Sequence, residues 1–105
     1  MTADINIGCG NCYFCRKGQK LFCPEIKQIG VHVSGAFADY VKAPETQVYK
    51  LPDNISYEQG ALVEPLACAV HGVERTEIQI GSSVAIIGAG PMGLLLLQLA
   101  KLQGA

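Results

Sequence analysis

The strongest structural pattern in the sequence lies near its carboxyl end. The run Ser83 to Gly88 (SVAIIG) is short, apolar and rich in β-branched residues, as in a parallel strand buried on both faces. Pro91 to Leu102 is predicted to be a helix, and its many leucines indicate that other parts of the protein cover most of its surface. A tight turn between the two completes the first half of a βαβ unit.

The earlier part of the chain carries weaker periodic patterns. Ser34 to Ala43 (SGAFADYVKA) alternates loosely between apolar and polar residues, which predicts a strand. Gln47 to Leu51 (QVYKL) predicts a second short strand that a proline-containing turn closes. Ser56 followed by Gln59 fits a capping box, so a helix is predicted to begin at Tyr57.

A change in composition near Glu64 marks the predicted domain boundary. The sequence is mixed and polar before this residue and strongly apolar after it, so we divide the chain into residues 1–64 and residues 65–105. Pro65 suits the first turn of a helix. Because a proline disfavours helical geometry in the residue before it, Glu64 is expected to be extended.

Composition and charge narrow the class of protein. The 105 residues are 50% hydrophobic, which is enough for a globular protein with a core. A formal net charge of -1 with no basic stripe argues against nucleic-acid and anionic-membrane partners. Met1 to Gly10 lacks the basic and apolar segments of a secretory signal, which predicts a cytoplasmic protein with reduced thiols. Glycines and Pro91 interrupt the uncharged stretch between Glu77 and Lys101, so no membrane span is predicted.

Four of the five cysteines form a cluster with metal-binding spacing. Their pattern is C-x2-C-x2-C-x7-C, formed by Cys9, Cys12, Cys15 and Cys23. Four thiolates around zinc form a closed, tetrahedral structural site with no open position for a substrate. An iron-sulfur cluster is an alternative, although the bacterial pattern places its fourth cysteine sooner. Free or disulfide-linked cysteines are the remaining possibility, and Cys68 is expected to be a small buried hydrophobic residue.

A glycine-rich turn connects the predicted strand and helix near the carboxyl end. Its residues fit G-x-G-x-x-G and are Gly88, Ala89, Gly90, Pro91, Met92 and Gly93. In this context the motif predicts a dinucleotide site, where the pyrophosphate approaches Gly90 and the amide groups at the helix start. A glycine turn without a ligand is the alternative. The acidic residue that would contact the ribose falls past Ala105, so the motif does not distinguish NAD from NADP.

Glu64 is an isolated carboxylate within the apolar segment ALVEPLACAV. Burial of an unpartnered carboxylate is costly, so a zinc ion or an arginine is one expected partner. An exposed glutamate at a helix start, favoured by the helix dipole, is the other interpretation. His71 and His32 are expected to be packed or hydrogen-bonded side chains rather than metal ligands.

Taken together, the motifs resemble the zinc-dependent medium-chain alcohol and polyol dehydrogenases. The matching segments are GCGNCYFCRKGQKLFC, GAFADYVKAP, LPDNISYEQGALVEPLACAVHGVE and VAIIGAGPMG, which cover nearly all of the chain. They are closest to the polyol branch, which includes sorbitol and threonine dehydrogenases. The resemblance implies a mixed α/β fold: part of a GroES-like β-barrel catalytic domain with a structural zinc lobe, then the first βα unit of a Rossmann fold.

The same resemblance implies an activity and a set of cofactors. It identifies Glu64 as a ligand of a catalytic zinc ion, or a neighbour of that ion. The expected reaction is hydride transfer between an alcohol or polyol and NAD or NADP, by an enzyme that is a homodimer or homotetramer when intact. The family's other catalytic zinc ligands precede the cysteine lobe, so we expect an internal piece of a longer protein that is inactive in isolation.

Two other classes of protein remain as alternatives. The first is a non-enzymatic zinc-binding interaction module, in which the four-cysteine loop presents a surface and the glycine turn is incidental. The second is a relative of the quinone reductases that lack catalytic zinc. Those proteins usually lack the cysteine lobe, which disfavours the second alternative.

Overall fold

The computed structural model describes residues 1–105, which form two compact units. The first unit is Met1–Asp53 and the second is Asn54–Ala105. None of the helices combines the length and apolar character required to cross a lipid bilayer. The division between catalytic and nucleotide-binding domains at residues 64 and 65 stays a prediction.

Four strands of two residues each build the sheets of the first unit. In chain order they are β1 (Thr2–Ala3), β2 (Asn6–Ile7), β3 (Lys27–Gln28) and β4 (Val48–Tyr49). β1 pairs with β4 and β2 pairs with β3, and both pairs are antiparallel. Backbone hydrogen bonds extend each pair by one step, from Asp4 to Gln47 (2.9 Å) and from Ile29 to Ile5 (3.0 Å).

The two strands predicted in this unit have different outcomes. The strand predicted over residues 47–51 is present as β4, although it is shorter than expected. The strand predicted over residues 34–43 is wrong, because this segment is a series of bends that pairs with no other strand. Phe37 and Tyr40 are almost fully exposed there. A strand is stabilised by its partners, and loose alternation in the sequence supplies no partner.

A lobe with little apolar core lies between β2 and β3. It contains the short helix α1 (Tyr13–Arg16) and a 3₁₀ turn at Lys20–Phe22. Only Cys23 and Ile29 are buried apolar residues in the whole first unit. Such a small core cannot offset the conformational entropy of an ordered loop, so the lobe requires another source of stability.

Three helices make up most of the second unit: α2 (Tyr57–Gly60), α3 (Val63–Arg75) and α4 (Pro91–Leu102). The capping box predicted before α2 is confirmed. The Ser56 hydroxyl accepts a hydrogen bond from the Gln59 amide (3.2 Å), and the Gln59 side chain accepts one from the Ser56 amide (2.9 Å). Together these two bonds satisfy amide groups that the helix itself leaves free.

Helices α3 and α4 pack against each other through small side chains. Ala69 and Val73 lie one turn apart on α3, and Ala100 is on α4; these three are the buried apolar residues of the second unit. The predicted helix over Pro91–Leu102 is confirmed at both ends. Its leucines are mostly exposed or half-buried in this chain, so the cover expected from its sequence is only partly present.

Pro65 does not displace Glu64 from the helix, and this prediction is wrong. Glu64 and Pro65 are the second and third residues of α3, which begins at Val63. Amide groups in the first turn of a helix have no partner within the helix, so a proline there removes no hydrogen bond. That advantage outweighs the steric preference of the residue before proline.

The apolar run over residues 83–88 does not form a paired strand in this chain, which corrects a third prediction. No part of it pairs with another segment, and Ile87 is fully exposed. A parallel strand depends on neighbours on both sides and on helices over both faces. No other strand of the 105 residues lies beside this run, so the apolar pattern does not produce a sheet.

Candidate functional site

The structure brings together all four cysteines of the predicted metal cluster. The sulfur atoms of Cys9, Cys12, Cys15 and Cys23 lie within 4.8 Å of one another, and all are free thiols. A tetrahedral zinc ion with bonds of about 2.3 Å would hold its sulfurs about 3.8 Å apart. Small movements therefore convert the observed arrangement into a four-coordinate site. The donor set fits a structural zinc ion, and the presence of that ion remains a prediction.

Backbone amide groups point at the sulfur atoms of the cluster. The amide of Cys12 donates to the sulfur of Cys9, and the amide of Cys15 donates to the sulfur of Cys12, each at 3.4 Å. The amide of Cys9 donates to the sulfur of Cys23, also at 3.4 Å. Hydrogen bonds to sulfur favour the thiolate, which is the form that binds metal. The C-x2-C spacing thus orders the backbone around the sulfurs.

The pKa values of two cluster cysteines, Cys9 and Cys15, are shifted in opposite directions. Backbone hydrogen bonds from Asn11 and Cys12 lower the pKa of Cys9 to about 7. A backbone hydrogen bond from Gly10 favours the Cys15 thiolate, but burial and the neighbouring sulfurs outweigh it and raise the pKa of Cys15 to about 11. Sulfurs this close cannot all carry negative charge unless a cation lies among them. The cluster is therefore suited to exchange protons for a divalent ion.

Gly8 leaves the space that the sulfur of Cys15 occupies. A Cβ atom at position 8 would lie 2.7 Å from that sulfur and 3.2 Å from the Cβ of Lys20. We expect the variant Gly8→Ala to displace Cys15 and to weaken zinc binding by about 10-fold, as measured by competition with a chromophoric chelator.

A matched control for this substitution lies in the second unit. A Cβ atom at Gly72 would meet the Leu96 side chain at 3.8 Å, which is an ordinary contact. The variant Gly72→Ala should therefore bind zinc as the unsubstituted chain does. Equal zinc affinity in the Gly8 and Gly72 variants would show that the space beside Cys15 is unimportant.

The glycine-rich turn has the geometry that its sequence predicts. Gly88 has a φ of 114°, which strongly favours glycine. Gly90 is the N-cap of α4 and Pro91 is the first helical residue. The amides of Met92 and Gly93 have no acceptor within the helix, so they can donate to an anion at its start.

Gly93 is the position at which the turn and the helix come closest. A Cβ atom on Gly93 would lie 2.0 Å from the carbonyl oxygen of Gly88, so only glycine fits. Gly90 has open space around it, with no atom within 4 Å of a Cβ built there. The positive φ of Gly88, the open space at Gly90 and the close approach at Gly93 are compatible with a dinucleotide-binding turn, and nucleotide binding itself remains a prediction.

Glu64 and its neighbours form no metal cluster within this chain. Glu64 is exposed at the start of α3, and the thiol of Cys68 donates a hydrogen bond to its Oε1 atom (3.2 Å). That hydrogen bond raises the pKa of Cys68. Cys68 is exposed rather than buried, which corrects its predicted environment. Among the histidines, His71 is exposed on α3 and His32 accepts a hydrogen bond from the amide of Gln28 (3.1 Å).

Sequence reasoning missed a polar contact beside the cysteine cluster. The ammonium group of Lys20 donates to the carboxylate of Asp4 and to the Oε1 atom of Gln47 (3.0 Å). Burial opposes ionisation of Asp4, but hydrogen bonds from Lys20 and Asn6 outweigh it and lower its pKa. No sequence pattern identifies these partners, because they lie 16 and 27 residues from Lys20.

Comparison with known proteins gives a consistent family. Residues 2–53 match the model of the alcohol dehydrogenase GroES-like domain. All 105 residues align with D-arabinitol dehydrogenase 1 of Uromyces fabae at 43% identity, and with sorbitol dehydrogenase of Bacillus subtilis at 40% identity. The chain covers 30% of the length of each of these two proteins. A solved structure described as a zinc-binding dehydrogenase of Sinorhizobium meliloti 1021, with bound NADP, is 46% identical. The two structures superpose with a TM-score of 0.87, and the superposition covers 99% of this chain and 30% of the other.

These similarities define an alcohol dehydrogenase GroES-like domain over residues 2–53. The chain belongs to the zinc-dependent medium-chain alcohol and polyol dehydrogenase family. It spans about 30% of the length of the relatives that it matches.

Proposed function

We propose that this chain contributes the structural zinc lobe and the pyrophosphate-binding turn of an enzyme that transfers hydride between an alcohol or polyol and NAD or NADP. The observation that carries this proposal is the convergence of four sulfurs within 4.8 Å in a chain whose relatives include polyol dehydrogenases. Sugar alcohols are the favoured substrates because arabinitol and sorbitol dehydrogenases are among those relatives. A homo-oligomeric, cytoplasmic enzyme is part of the same proposal.

Each part of the chain has a distinct role in the proposed enzyme. Cys9, Cys12, Cys15 and Cys23 hold a structural zinc ion, which keeps the lobe ordered without touching the substrate. Gly90 allows the cofactor's pyrophosphate to approach, and the amides of Met92 and Gly93 donate hydrogen bonds to it. The segment over residues 83–88 forms the first strand of a Rossmann sheet when neighbouring strands are present.

Glu64 supplies a carboxylate to the proposed catalytic centre. When bound, a catalytic zinc ion polarises the substrate hydroxyl as a Lewis acid, and the nicotinamide accepts the hydride. Glu64 is exposed in the first turn of α3, so its carboxylate oxygens are accessible to an ion that residues outside these 105 mainly hold. A zinc ion with four cysteine ligands has no coordination position open to a substrate, so the cysteine lobe has no direct part in this chemistry.

Nucleotide binding distinguishes the dehydrogenase from a non-enzymatic zinc module. We would titrate the ¹⁵N-labelled chain with NADH and with NADPH and follow the amide resonances of residues 88–93 by NMR. The dehydrogenase proposal expects saturable shifts centred on Met92 and Gly93, with NMN as a control ligand that lacks the pyrophosphate bridge. Absence of any shift with either dinucleotide would favour the zinc-binding interaction module.

A further inference from the structure

One side chain of the cysteine lobe contacts two segments that meet at one end of a strand pair elsewhere in the first unit. Lys20 lies between Cys15 and Cys23 and begins the 3₁₀ turn of the lobe. Its ammonium group binds Asp4, which follows β1, and Gln47, which precedes β4. Lys20 therefore bridges the two segments at the end of the β1–β4 pair.

The β1–β4 pair has few other sources of stability. Each strand is two residues long, and a backbone hydrogen bond from Asp4 to Gln47 adds one further step. Ala3 and Tyr49 are exposed, while Thr2 and Val48 are only half-buried. An isolated two-stranded pair of this size is marginal in water. The polar contacts of Lys20 are thus a large part of what keeps the pair closed.

The position of Lys20 depends in turn on an ordered lobe. Its carbonyl oxygen accepts a hydrogen bond from the amide of Cys23 (3.0 Å), and its Cβ atom packs beside Gly8. The lobe has almost no apolar core, so its order depends on the ion that the four sulfurs hold. Loss of that ion would release Lys20 from its place between the strands.

We propose that Lys20 is a positioning residue that couples metal binding in the cysteine lobe to closure of the β1–β4 pair. This inference rests on the proposed metal site and adds a consequence of metal binding outside the lobe. With metal bound, the lobe presents the Lys20 ammonium group to Asp4 and Gln47, and the strand pair closes. Without metal, the lobe loosens and the strand pair opens with it.

Hydrogen exchange with and without zinc tests this coupling directly. The reporter for the strand pair is the amide of Asp4, and the reporter for the lobe is the amide of Arg16, which bonds to the carbonyl of Cys12 (3.0 Å). At a free zinc concentration 100 times the dissociation constant, exchange should slow by about 100-fold at every amide that opens only when zinc is released. In the unsubstituted chain we expect this slowing at both reporters.

The variant Lys20→Met should separate the two reporters. We expect zinc still to slow exchange at Arg16, but to slow exchange at Asp4 by less than about threefold, because the variant lacks the contact that joins the lobe to the strand pair. Lys17→Met is the matched control, since the Lys17 ammonium group bonds only to the hydroxyl of Tyr13 (2.7 Å) within the lobe. It should behave as the unsubstituted chain, and Lys20→Arg should retain most of the slowing at Asp4.

A second variant keeps the test independent of changes inside the lobe. Gln47→Ala removes one partner of Lys20 from the strand side, and we expect it to reduce the zinc-dependent slowing at Asp4 while Arg16 is unaffected. Full slowing at Asp4 in both Lys20→Met and Gln47→Ala would overturn the coupling alone. Failure of the unsubstituted chain to bind zinc would overturn both the coupling and the proposed metal site.

Discussion

Replacement of Cys23 by serine is expected to weaken zinc binding and to destabilise the lobe. Cys23 is 3% exposed, the most buried of the four cluster cysteines, and its sulfur accepts the amide of Cys9. Structural zinc contributes about 10–16 kcal/mol of apparent binding free energy, so loss of one ligand of four forfeits roughly 3 kcal/mol. This loss corresponds to about 100-fold weaker binding. Competition with a chromophoric chelator and circular dichroism would measure the two effects.

Cys68→Ser provides the matched control for this substitution. Cys68 is exposed on α3, and its thiol bonds to Glu64 rather than to the cluster. The control variant should keep the same zinc content and the same spectrum as the unsubstituted chain. If Cys23→Ser bound zinc as tightly as the unsubstituted chain, the buried sulfur would not be a ligand and the four-cysteine site would be wrong.

Replacement of Gly93 by alanine is expected to disrupt the glycine turn. The added Cβ atom would lie 2.0 Å from the carbonyl oxygen of Gly88, which forces the turn away from α4. Overpacking of this kind costs about 1–3 kcal/mol, and we expect the free energy of unfolding of the second unit to fall by about 2 kcal/mol. Denaturant titration followed by α-helical circular dichroism would measure this change.

Gly90→Ala separates the fold of the turn from its binding role. Gly90 has a φ of -78° and no atom within 4 Å of a built Cβ, so alanine fits the chain itself. We expect the free energy of unfolding to change by less than about 0.5 kcal/mol. The methyl group would nevertheless occupy the space that a pyrophosphate needs, so dinucleotide binding should weaken. Equal stability of the Gly93 and Gly90 variants would contradict the close approach at Gly93.

Local signals in the sequence predicted the parts of the structure that depend on neighbouring residues. The spacing of Cys9, Cys12 and Cys15 brings their sulfurs together through one short helical turn, and Cys23 returns to them after a second turn. Helix α4 begins where its glycine N-cap and proline predict. Each of these features is determined within a few residues of chain, which is why spacing alone identifies it.

The features that the sequence did not predict depend on distant partners. The segment over residues 34–43 has strand-like residues but no partner, and the apolar run over residues 83–88 lacks the sheet that would cover it. Lys20 meets Asp4 and Gln47 only because the fold brings three distant segments together. A charged residue in a polar loop gives no sign of such contacts. Pairing across a sheet and long-range polar contacts therefore require the structure.

X-ray absorption at the zinc edge, combined with metal analysis of the purified chain, tests the central claim most directly. The four-cysteine site predicts one zinc ion per chain, surrounded by four sulfur atoms at about 2.3 Å and by no oxygen or nitrogen ligand. Iron with inorganic sulfide, or a chain that binds no metal when its thiols are reduced, would contradict the metal centre on which the account depends.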